Sequence, residues 1–115
     1  MHIPNAPTWA GWLRRRLGPE RRQHPRYTHR PLVLKIEGRR YRTIDWSLGG
    51  FRIGPFHRES VIGMRIEGSI VKSGRVQAGG FVAELVRFTE EGGIGLRWVE
   101  VAPATFIGMS SVRPS

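Results

Sequence analysis

From Pro31 to Val101 apolar residues recur at short, often alternating intervals, the spacing that a half-buried β-strand imposes on its side chains. The segments 31–37, 40–46, 50–54, 64–71, 74–77, 80–88 and 94–101 carry this pattern. Met64, Ile66 and Ile70 fall on one face of their strand, and Ile94, Leu96 and Trp98 on one face of theirs. Turn-forming pairs separate the segments: Glu37-Gly38, Gly49-Gly50, Gly54-Pro55, Ser73-Gly74, Gly79-Gly80 and Gly92-Gly93. Many short strands between regular turns predict an all-β, antiparallel barrel or sandwich.

The two ends read differently. Residues 1–18 form an N-terminal extension with a short helix predicted over 8–18. Thr8 caps it, Gly18 and Pro19 end it, and Trp9, Trp12, Leu13 and Leu17 share a face. Arg14, Arg15 and Arg16 lie in its last turn, where they complement the helix dipole. Such a helix suits packing on its own barrel, docking on a partner, or lying on an anionic membrane surface. Residues 19–30 are polar, basic and broken by Pro25, which predicts a flexible segment. The barrel is expected over 31–101, and 102–115 is read as a loop or a single helical turn. No internal repeat and no second domain fit in 115 residues.

Composition adds a direction. The formal net charge is +10, and 17 of the 19 Lys+Arg residues are Arg. Arg presents a planar fork that grips phosphate oxygens two at a time and stacks on bases, which Lys cannot do. The bias points to a nucleotide or nucleic-acid ligand. With no cysteine there are no disulfides or thiolate metal sites. No apolar run approaches the ~20 residues of a membrane span, and no signal peptide is legible, so the sequence predicts a cytoplasmic protein. The histidines at 2, 24, 29 and 57 show no metal-binding spacing. No nucleophile–base grouping is visible, which argues against an enzyme.

Two short motifs carry the candidate chemistry. Arg22-Gln23-His24-Pro25-Arg26 is an RxxxR, and Asp45-Trp46-Ser47-Leu48-Gly49-Gly50 is a DxSxxG. In a chain so rich in Arg, roughly two RxxxR matches arise by accident. With one Asp and one Asn present, chance gives only roughly 0.01–0.02 matches to the second pattern. The order of the two motifs, followed by further strands and a closing Gly93-Ile94-Gly95-Leu96-Arg97-Trp98, resembles the PilZ domain family over about residues 20–101. The resemblance implies a six-stranded antiparallel barrel and a ligand, cyclic di-GMP, with no cofactor.

It also implies roles. Arg22 and Arg26, with Arg21 beside them, would grip phosphate or the guanine O6/N7 edge. Asp45 would accept from guanine N1–H and the exocyclic amine, a pairing adenine cannot make. Ser47 would offer a hydroxyl, and Gly49 and Gly50 a tight turn with close backbone approach. Trp98 and Arg87 are further candidates, the first for stacking on guanine and the second for reaching the ligand. Plainer roles compete: Asp45 and Ser47 also suit a turn cap, and Trp98 a filled core. The expected mechanism is a switch in which the dinucleotide orders the basic segment and changes what the N-terminus presents to a protein partner. Two rival readings remain on this basis: a PilZ-like interaction module without the dinucleotide, and a small basic barrel for RNA or DNA.

Overall fold

A computed structural model describes residues 25–112. Seven strands build one antiparallel sheet: β1 (Val33–Ile36), β2 (Arg39–Arg42), β3 (Asp45–Trp46), β4 (Gly50–Ile53), β5 (Arg65–Ile70), β6 (Gly79–Phe88) and β7 (Ile94–Val101). A helix, α1 (Pro103–Ser110), follows. The sheet order is β2-β1-β5-β6-β7-β4-β3. Its two outermost strands, β2 and β3, are therefore neighbours in sequence, separated only by Thr43 and Ile44. A flat sheet of this width would hold its edges roughly 30 Å apart, at about 4.8 Å per strand. Two linking residues cannot span that, so the sheet curls until one end of each edge strand comes together at this corner, giving a barrel-like form.

That corner explains the seventh strand. The predicted strand 40–46 is two strands, bent where Thr43 leaves one edge and Asp45 joins the other. Thr43 is buried and holds the bend: its N–H donates to the Leu32 carbonyl at 2.9 Å, and its hydroxyl accepts from Leu32 N–H at 2.9 Å. The predicted strand 74–77 is instead a turn, closed by a single bridge between Ser73 and Val76. Gly74 sits there at φ +56°, a conformation that suits a turn and not a strand. The other predicted strands match to within about two residues at either end.

The inward face of the barrel is packed with Leu34, Ile36, Phe51, Ile53, Ile66, Leu85 and Leu96, all almost fully buried. Phe51, Phe81 and Trp98 form an aromatic cluster, with Phe51 and Trp98 centroids 4.5 Å apart. The tail holds more structure than predicted: α1 starts with Pro103 in its first turn and buries Thr105, Phe106 and Met109. Gly108 lets it approach closely, because a Cβ there would lie 2.4 Å from the Arg75 carbonyl oxygen. The helix predicted over 8–18 lies outside the described residues. In the β1–β2 turn, Glu37 accepts from His57 Nε2 at 2.7 Å and from Arg58 at 2.6 Å. His57 Nδ1 also meets the Tyr41 hydroxyl, so the loop after β4 is tied to this hairpin.

Candidate functional site

The DxSxxG motif forms the corner between β3 and β4. Antiparallel pairing sets Asp45 opposite Arg52 and Trp46 opposite Phe51. Trp46 and Phe51 point into the core, so Asp45 and Arg52 share the outer face. Ser47 shapes the turn: its N–H donates to the Gly50 carbonyl at 2.8 Å, and its Oγ accepts from Gly49 N–H at 3.0 Å. Strand β7 clamps the corner from the side. Trp98 N–H donates to the Gly49 carbonyl at 3.2 Å, and its indole N–H donates to the Ser47 carbonyl at 2.9 Å.

Gly50 has a steric reason that differs from the expected one. A Cβ there would sit 2.0 Å from the Leu96 carbonyl oxygen, so the close approach it permits is to the backbone of β7. Trp98 takes the plainer of its two expected roles, filling the core. It is 4% exposed, stacked in the core and bonded to the corner, which places it behind the motif as a support and not as an open stacking platform.

The RxxxR motif reaches the DxSxxG corner through Arg26. Its Nη2 donates to Asp45 Oδ1 at 2.7 Å, and its Nη1 lies 3.4 Å from Ser47 Oγ. The next residue, Tyr27, fixes this approach. It pairs with Trp46 through both backbone bonds, 2.8 and 3.1 Å, and stacks on its ring at 4.5 Å. Its hydroxyl donates to the Val112 carbonyl at 3.0 Å, and the residue is buried. The flexible segment expected over 19–30 is thus anchored at Tyr27, where an aromatic ring interrupts its polar run. Arg21 and Arg22 lie outside the described residues.

Arg52 is the site residue that motif reading missed. Its Nε lies 3.0 and 3.1 Å from the two Asp45 oxygens, and its Nη2 donates to Oδ2 at 2.6 Å. Asp45 therefore accepts from two guanidinium groups while being 5% exposed. Burial pushes its carboxyl up, but the hydrogen bonds and charges of Arg52 and Arg26 outweigh this and hold it below the usual carboxylate range. The same pairing raises the Arg52 guanidinium above its ordinary value. The hairpin register carries the missing signal: residues flanking a tight corner face each other, and Arg52 stands opposite Asp45.

Arg87 lies on the same outer face. Cross-strand pairs run from Asp45 to Arg52, Arg52 to Gly95, and Gly95 to Arg87, one row across β3, β4, β7 and β6. The row beside it holds Gly50, Arg97 and Glu84, with Arg97 and Glu84 paired at 2.8 Å. A groove lined by Arg30, Leu32, Arg42, Arg75 and Val112 also opens on the surface, but shares none of Arg26, Asp45 and Ser47. Among the described residues no cluster of His, Asp or Glu could hold a metal ion, and no helix is long and apolar enough to cross a membrane.

This geometry can be set beside known proteins. No family model and no curated protein matches the sequence. Among solved structures, the chain is similar to the PilZ domain of YcgR from Escherichia coli, a structure with c-di-GMP. The two share 21% identity with a TM-score of 0.54, over 79% of this chain and 87% of that one. The fold is that of a PilZ domain. Within this PilZ fold the two motifs, 19 residues apart from Arg26 to Asp45, come into contact on the outer face of the barrel.

Proposed function

We propose that the protein is a receptor for cyclic di-GMP, working by binding and not by catalysis. The observation that carries this reading is the ion pair of Arg26 with Asp45, which joins RxxxR to DxSxxG on a PilZ fold. Two guanidinium groups gathered on one carboxylate leave a positive charge in excess at the corner, which suits an anionic ligand. The YcgR domain that shares this fold was solved with the same dinucleotide.

In this reading Arg26 is the exchangeable member of the pair. Its side chain is 44% exposed and sits on the incoming arm, whereas Arg52 grips Asp45 with two nitrogens from the adjoining strand. A dinucleotide phosphate draws Arg26 away, and the freed edge of Asp45 accepts from guanine N1–H and its amine. Arg21 and Arg22 add donors for the phosphates, and Ser47 Oγ, already beside Arg26, takes a place at the ligand's edge. Because Tyr27 follows Arg26 and touches Val112, movement of the arm changes the surface near the end of α1, where a protein partner in the cytoplasm would read it.

Calorimetric titration with cyclic di-GMP, cyclic di-AMP and GMP in parallel tests the reading. The guanine dinucleotide is expected to bind far more tightly than the other two, and Arg26→Ala to weaken it at least tenfold, about 1.4 kcal/mol. A folded protein that gives no heat with cyclic di-GMP at high micromolar concentration overturns the proposal.

A further inference from the structure

The row of residues on the outer face continues beyond the motif, and the geometry points to a second phosphate-binding position formed by Arg87 over Gly95. This rests on the receptor reading above and extends the same site across β7 to β6. Its ligand class is a phosphodiester carried by a nucleotide already held at the Asp45 corner.

Three observations support it. The first is a bulge in β6. Leu85 pairs with Leu96 on the core face, but the next pair is Arg87 with Gly95, so Val86 is the extra residue. Without that insertion Val86 would face outward and Arg87 would face the core. Bulges re-aim side chains in this way, and they gather beside binding sites. The second is the seat at Gly95. A Cβ built there has Arg87 atoms as its nearest neighbours, Cγ and Nε at 3.1 Å, so the Arg87 stem lies across bare backbone. This lays the side chain over β7, in the row that leads to Arg52.

The third is charge accounting along the strip. Arg52 is paired with Asp45, and Arg97 with Glu84. Arg87 is exposed and makes no ion pair among the described residues. Of the three arginines around Gly95, it alone has its charge uncompensated by a neighbouring acid among the described residues. Cyclic di-GMP has two phosphates; one guanine and phosphate at the corner leave the other phosphate to extend over the flat glycine floor. There the Arg87 guanidinium takes it.

Titration of full-length variants with cyclic di-GMP tests this. Arg87→Ala is expected to weaken binding about 10- to 100-fold, the range for losing a charge-assisted contact. Gly95→Ala keeps every charge but its methyl pushes Arg87 off its seat, and a several-fold loss is expected. Lys72→Ala removes one positive charge elsewhere and is expected to stay within about twofold. The inference is overturned if Arg87→Ala binds within twofold of the unaltered chain while Arg26→Ala loses binding, an outcome that leaves the receptor reading intact. It is also overturned if Arg87→Ala and Lys72→Ala lose equally, since only the overall field would then be at work. Failure of the unaltered, folded chain to bind overturns both.

Discussion

The carboxylate of Asp45 is nearly buried between two guanidinium groups. A motif match assigns it to guanine, yet in the described fold it is already engaged by Arg26 and Arg52. Replacing it with Asn keeps the shape but leaves two guanidinium groups beside a neutral amide. Because both arginines are partly solvated, the expected loss is modest, about 1–2 kcal/mol in urea denaturation at neutral pH. The sign with pH follows from the depressed carboxyl: the stabilisation is complete above its ordinary value near 4 and is lost as pH falls through its lower folded value. The difference between the native chain and Asp45→Asn should therefore shrink steadily below about pH 4; a constant gap down to pH 2 would contradict the pairing. At this scale Asp45, Ser47 and Gly50 were legible because their types are rare together. Arg52 was not, because its role arises from strand register; the core position of Trp98 was legible, but its long-range bond to the Ser47 carbonyl was not.

Among the elements, the strands were legible wherever one face is buried, as in β7, where the predicted and observed limits coincide. The 40–46 segment was misread because the apolar pattern runs on through a corner: Ile44 is exposed, and only tertiary pairing shows that the chain changes edges there. Helix α1 was hidden by its proline and glycine, each of which has a positional reason that becomes visible only in the packing. The corner between β3 and β4 should be intolerant of bulk. Gly50→Ala is expected to destabilise by about 1–3 kcal/mol, because a backbone carbonyl cannot rotate out of the way as a side chain can. Thermal unfolding would check this, and an unchanged Tm would refute the steric account. Tyr27→Phe keeps the stack on Trp46 and removes only the bond to Val112, so a loss of about 0.5–1.5 kcal/mol is expected.

For the molecule as a whole, a charge of +10 attracts any polyanion, so affinity alone does not separate a dinucleotide receptor from a nucleic-acid binder. Salt does. A ligand with two phosphates can displace few counterions, so binding between 50 and 500 mM NaCl should weaken with a shallow slope; a long oligonucleotide contacting many phosphates would give a steep one. Calorimetry or anisotropy across that range distinguishes them.

The curl that brings β2 to β3 has a further outcome for behaviour at high concentration. Tyr27 lies along the outer side of β3, and β2 is only four residues long with Arg39, Arg40 and Arg42 on it. An unfamiliar chain seeking to add itself to this sheet meets an occupied rim on one side and a short, repelling one on the other. Exchanging those three arginines for threonine should make the protein more prone to aggregate, as light scattering would record, without disturbing the corner at Asp45.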